Sequence, residues 1–153
     1  MGWWSDTVMG GDTPLDKLGT IADAMGVKFS YDTPPPEAPA ELHCYPFTRS
    51  AVEANLSAAV EALARNEGYE GNIGRQALGV VILWTGAEMP DDVRDLIIEA
   101  AEADEWAATG DDGRVRHMAD FILAVQKHRP GTRTSVTSEG LFQALDKLTT
   151  ETH

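Results

Sequence analysis

Between Leu15 and Met25 the apolar residues fall at Leu15, Leu18, Ile21, Ala22 and Met25, a spacing of three and four that lines one face of a helix. The ends of this segment carry their own signals. Thr13 is the predicted N-cap, Pro14 sits in the first turn, Asp16 completes an acidic form of the capping box, and Gly26 is the stop. A second helix is predicted over residues 50–67, with Val52, Leu56, Val60 and Leu63 on its inner face and Gly68 and Gly71 ending it. A third runs from Asn72, its cap, toward Pro90, and its centre, LGVVILW, is apolar on almost every side, as in a helix enclosed by its neighbours. The same β-branched run would also suit a buried strand, but its length and its flanks favour helix.

After Pro90 the pattern gives one long helix through DDVRDLIIEAAEADEWAA, with Val93, Leu96, Ile97 and Ala100 as its core face, ending at the GDDG break. Another follows over RVRHMADFILAVQKH, with Val115, Met118, Phe121, Ile122 and Val125 on one face, and stops before Pro130. A polar loop with Ser138 as cap then leads to a closing amphipathic helix, LFQALDKL. The alternation in VKFSY makes residues 27–31 the place for one short strand. Five prolines between Pro34 and Pro46 exclude helix interior and make residues 32–47 an extended strap over the surface. The expected fold is therefore all-α, about six helices in a compact orthogonal bundle, as a single domain over residues 1–153.

Charge changes this picture more than composition does. The chain carries 25 acids against 12 bases, a net charge of −13. That balance disfavours direct binding to nucleic acid or to an anionic membrane and favours basic protein surfaces. The excess is local: residues 88–112 hold ten acids and the single base Arg94, whereas residues 114–134 hold five bases and the single acid Asp120. On a helix, Glu88, Asp92, Asp95, Glu99 and Glu102 recur every three or four residues and share one face, flanked by Asp91 and Glu105. Like charges so placed cost a few tenths of a kcal/mol each, about 1–2 kcal/mol in all. The stripe reads either as a solvated face, partly compensated by Arg114 and Arg116, or as a docking surface for a basic partner. Because a straight stripe directs its carboxylates outward and does not converge them on one ion, a metal site is the weakest reading.

Reaction machinery is sparse. The chain has no phosphate-binding glycine loop of the G-x-x-x-x-G-K-[ST] type, no G-x-S-x-G, no H-E-x-x-H and no zinc-spaced cysteines. Cys44 is the single cysteine, so no internal disulfide forms. The turn Gly10-Gly11 ahead of a helix has the form of an anion site, but Asp12 competes for the same positive end. His43 beside Cys44, together with that turn, is the alternative place for a small ligand, a metal or an enzymatic centre. His117 and His128 fall on nearly the same helix face, where acidic neighbours are their expected partners. The longest apolar run is well short of the ~20 residues that span a bilayer, which points to a cytoplasmic protein. No cofactor is expected.

The opening Met1-Gly2-Trp3-Trp4, followed by a glycine-and-aspartate turn and at once by a helix, resembles a set of small bacterial and phage proteins of unknown function that begin Met-Gly-x-Trp. Gly2, Trp4, Asp12 and Asp16 carry the resemblance, and the helical stretch from Gln76 to Asp92 is compatible with it. It implies further helices and a phage or mobile-element origin, and it implies no activity. The function expected is thus non-enzymatic: a phage-type acidic protein that binds and inhibits a host defence or nucleic-acid-handling protein through Glu88, Asp91, Asp92, Asp95, Glu99, Glu102 and Glu105. A structural phage component is the remaining alternative.

Overall fold

The computed structural model describes residues 7–29, 44, 46–66 and 68–136. The two opening tryptophans, His43, most of the proline-rich strap and the predicted closing helix lie outside the described residues. Among the described residues there are six helices: α1 (Asp12–Met25), α2 (Arg49–Leu63), α3 (Gly68–Thr85), α4 (Asp91–Glu102), α5 (Glu105–Ala108) and α6 (Asp112–Lys127). No strand occurs among them, and Val27 to Phe29, the described part of the expected strand, is irregular chain. The fold is all-α, and α3 is its axis. One helix pair, α1 with α2, and a second pair, α4 with α6, each pack on it.

The apolar run in α3 explains that position. Ile73, Gln76, Ala77, Leu78, Val80, Val81, Ile82 and Leu83 are all buried, because neighbours cover the helix on several sides. Such a helix needs small residues where others come close. A Cβ on Gly79 would stand 2.7 Å from Phe121 of α6 and 2.9 Å from Ile97 of α4, and one on Gly74 would stand 2.9 Å from Leu63 of α2. The glycines are therefore the places where both pairs of helices approach the axis.

Several boundaries differ from those the local signals predict. α1 begins two residues earlier than expected, with Gly11 as N-cap and no side-chain cap, so Thr13 lies inside the helix. Its end is as expected: Gly26 adopts φ 71°, and the residues beyond it close the carbonyls of the last turn. α2 is capped by Thr48, whose side chain accepts the Ala51 N–H, and stops at Leu63, short of the expected residue 67. Its backbone departs from helical geometry at Asn55, whose amide donates to the Ala51 carbonyl at 2.8 Å. α3 begins at Gly68, so Asn72 is an internal residue that donates to the Ala103 carbonyl at 3.3 Å.

The long acidic helix is two helices. Asp104 breaks it, because its carboxylate caps the Ala107 N–H of α5 at 2.8 Å instead of facing water. Asp111 then caps α6 through the Arg114 N–H. In α6 the buried face is Arg114, Met118, Phe121 and Val125. Val115, expected there, is 44% exposed, and the arginine one residue earlier takes its place. After α6 the chain runs back over the end of α3: Gly131 and Thr134 donate their N–H groups to the carbonyls of Gly86 and Leu83, both at 2.7 Å.

An alanine inside a helix normally stabilises it over glycine by up to about 1 kcal/mol. At Gly79 the sign should reverse. Gly79→Ala is expected to destabilise the fold by about 1–3 kcal/mol through overpacking against Phe121 and Ile97, measured by urea denaturation. A gain in stability would show that α4 and α6 do not close on α3 as described.

Candidate functional site

Amphipathicity places the acidic face. Val93, Ile97, Ala100 and Ala101 turn α4 toward the core and Leu96 and Ile98 flank them half-buried, which leaves Asp91, Asp92, Asp95, Glu99 and Glu102 exposed. Glu88, ahead of the helix, and Glu105, on α5, are exposed as well. All seven predicted residues therefore reach solvent from one stretch of chain. Asp91 and Asp92 also complement the positive end of α4, where negative charge is favourable.

Of the bases near these carboxylates, Arg94 and Arg114 are engaged elsewhere. Arg94, on α4 itself, reaches back to the end of α6. It donates to the carbonyls of Val125, Gln126 and His128, the last two at 3.3 and 3.4 Å, and closes that helix C-terminus. Arg114 is fully buried. Its Nε donates to Asp104 Oδ1 at 3.0 Å and its Nη2 to Asp104 Oδ2 at 2.7 Å, a bidentate pair inside the protein. Arg116 is exposed and makes no ion pair among the described residues. Within those residues the carboxylates of α4 have no cationic partner, so no ion pair offsets the face.

Asp104 belongs to the acidic block in sequence but not to the acidic surface, since it is 2% exposed. Four segments meet around it. Besides Arg114 and the Ala107 N–H, it accepts from Gln76 Nε2 of α3 at 3.0 Å. Gln76 also donates to the Ala100 carbonyl at 3.1 Å, and its Oε1 accepts from Arg114 Nη2 at 3.3 Å. Arg114 Nη1 reaches the Thr7 carbonyl at 2.8 Å, and the Trp106 ring covers the guanidinium with its centroid 4.8 Å away. Desolvation alone would raise the Asp104 pKa, but the hydrogen bonds from Arg114, Ala107 and Gln76 outweigh it and hold the carboxyl below its ordinary value. Asp111 is also lowered, chiefly by the Arg114 N–H.

Local periodicity gave two usable signs of this cluster. Arg114 stands four, seven and eleven residues before Met118, Phe121 and Val125, on their face, and Asp104 sits three residues before Ala107, at cap spacing. The identity of the partners, Gln76 and Thr7, has no local sign.

Only part of the alternative site falls among the described residues. The turn from Thr7 to Gly11 is buried, and its Thr7 carbonyl is occupied by Arg114. His43 lies outside the described residues, while Cys44 is fully buried. Contrary to expectation, the partner of His128 is a carbonyl, not an acid: its Nε2 donates to Ala87 at 2.6 Å. Among the described residues no three metal-ligating side chains converge, and no helix is long and apolar enough to cross a membrane. Comparison with family models, curated proteins and solved structures finds no match.

The buried pair makes a prediction with a defined sign. A carboxyl whose pKa is lower in the folded protein contributes stability that is complete above its unfolded pKa of about 3.9 and is lost as pH falls through the folded value. Asp104→Asn leaves the Arg114 charge buried without its counterion and should cost about 3–5 kcal/mol at neutral pH. The gap between the natural chain and the variant should narrow as pH falls below about 3.9, followed by urea unfolding at a series of pH values. A gap constant with pH would mean that Asp104 is not an ionised partner of Arg114.

Proposed function

We propose that the chain is a non-enzymatic binding protein that engages a basic surface of another macromolecule through the α4 face: Asp91, Asp92, Asp95, Glu99 and Glu102, extended by Glu88 and Glu105. One observation carries this reading. These carboxylates are exposed without a described counterion, while Arg94 and Arg114, the arginines nearest to them along the chain, are committed to the end of α6 and to Asp104. The like-charge repulsion along α4 then becomes attraction when a basic surface docks, and the same field speeds encounter. Binding of this kind acts by occupancy, as an inhibitor does. The most specific form is a phage-encoded inhibitor of a host defence or nucleic-acid-handling protein, acting in the host cytoplasm. Its support is the resemblance of the Met-Gly-x-Trp opening, together with the spaced negative charge that a nucleic-acid-binding surface would accept.

The test is a variant that reverses Asp92, Asp95, Glu99 and Glu102 to lysine, compared with one that reverses the exposed Asp23 and Glu61 on α1 and α2. Both should fold, as read by circular dichroism. In a pull-down from host lysate, the α4 variant should lose the protein that the natural chain retains, and the control variant should keep it. Retention should weaken steeply with salt, because exposed charges are screened over about 8 Å at physiological ionic strength. Undiminished capture of the same protein by the folded α4 variant would remove the proposal.

A further inference from the structure

A pocket of about 340 Å³ opens between three segments that the acidic face does not use: the start of α2, the end of α3 and the chain beyond α6. Phe47, Thr48, Arg49, Trp84, Thr85 and Arg133 line it. Its volume falls in the range of small-molecule sites. The unusual feature is its charge, since two of the 12 bases in this acidic chain meet there.

Both guanidiniums are held by their inner nitrogen. Arg49 Nε donates to Glu53 Oε2 at 2.9 Å, and the same oxygen accepts the Glu88 N–H at 2.8 Å, so the arm of Arg49 is tied to the chain that precedes α4. Arg133 Nε donates to the Trp84 carbonyl at 2.9 Å, and its guanidinium lies 5.4 Å from the centroid of the Trp84 ring. Neither Arg49 nor Arg133 has an Nη acceptor among the described residues. A guanidinium fixed through Nε, with its outer amino groups unspent, is a preoriented donor for an oxyanion. Arg49 is also the first residue of α2, whose positive end adds to the charge of Arg133 and to that of Arg49, which its ion pair with Glu53 offsets in part. The remaining walls are two hydroxyl side chains, Thr48 and Thr85, and two aromatic ones, the half-buried Trp84 and the exposed edge of the largely buried Phe47. An inorganic ion alone would leave those walls uncovered.

We infer that this pocket binds a small aromatic oxyanion, a phosphate or carboxylate, with the anionic group between Arg49 and Arg133 and the planar body against Trp84 and Phe47. The site is separate from the α4 face, and either can fail without the other. Isothermal titration calorimetry on the full chain at low ionic strength tests it with phenyl phosphate, benzoate, inorganic phosphate and phenol. Phenyl phosphate or benzoate should bind saturably at one site, inorganic phosphate more weakly, and phenol not at all. Arg49→Gln and Arg133→Gln should each weaken binding by about tenfold or more. Arg133 also closes the end of α3, so the exposed Arg49 provides the variant whose fold stays intact, checked by its melting temperature. The assignment is overturned if neither aromatic anion binds saturably, if Arg49→Gln binds unchanged, or if inorganic phosphate binds as tightly as phenyl phosphate.

Discussion

The guanidinium of Arg114 is taken wholly out of water where four stretches of chain meet, and the arrangement of the described helices depends on its being satisfied there. Removing one such charge from water costs several kcal/mol even after the protein relaxes, and only good geometry with further hydrogen bonds offsets that cost. Here a bidentate carboxylate, an amide oxygen, a backbone carbonyl and an aromatic face all converge on it. The partners are spread along the chain from Thr7 through Gln76 to Asp104, so the pair can be satisfied only when the N-terminal turn, α3, the α4–α5 junction and α6 are all in place. A buried pair of this kind is a poor source of net stability, but it is selective, since any other packing strands a charge. Apolar contacts supply the driving force for collapse, and Arg114 discriminates among the collapsed arrangements.

The same geometry explains why α3 is the axis. Gln76, midway along its buried face, gives α3 a polar contact with Asp104, while Gly79, nearly one turn further on, lets Phe121 and Ile97 close against its backbone. One residue fixes the register of α3 against the α4–α5 junction, and the other fixes the distance. The chain beyond α6 then seals the carbonyls at the end of α3 through Gly131, Arg133 and Thr134. Nothing in this set acts alone.

Most of the architecture was legible because its signals are local. The periodic apolar faces of α1, α2 and α4 lie where the spacing puts them, and the enclosed character of α3 follows from LGVVILW. What failed has a common cause. Asp104 reads as one more charge on an amphipathic helix, and Val115 as the natural apolar member of the α6 face; the cap spacing of Asp104 and the register of Arg114 outweigh that reading only once the two are seen to pair across 10 residues. The acidic stripe was legible by the same periodicity, and its exposure follows from the burial of Val93 and Ile97. The loss of its neighbouring bases was not legible, because Arg94 finds most of its acceptors more than 30 residues away.

Those long-range commitments determine what the surface can do. A chain with 25 acids could spread them or pair them, and either choice would flatten the field around it. In this fold the two arginines best placed to neutralise the acidic block are turned to structural work, one inside the core and one at a helix terminus. Two other arginines, Arg49 and Arg133, are gathered around a pocket at the far end of α3. The sorting of charge is therefore a consequence of how the helices are held together, and it leaves a carboxylate face without described counterions on one side of the axis helix and two arginines lining a pocket at its end. A substitution that released Arg94 or Arg114 would weaken the packing and the acidic field together, so the two properties are coupled through the same side chains.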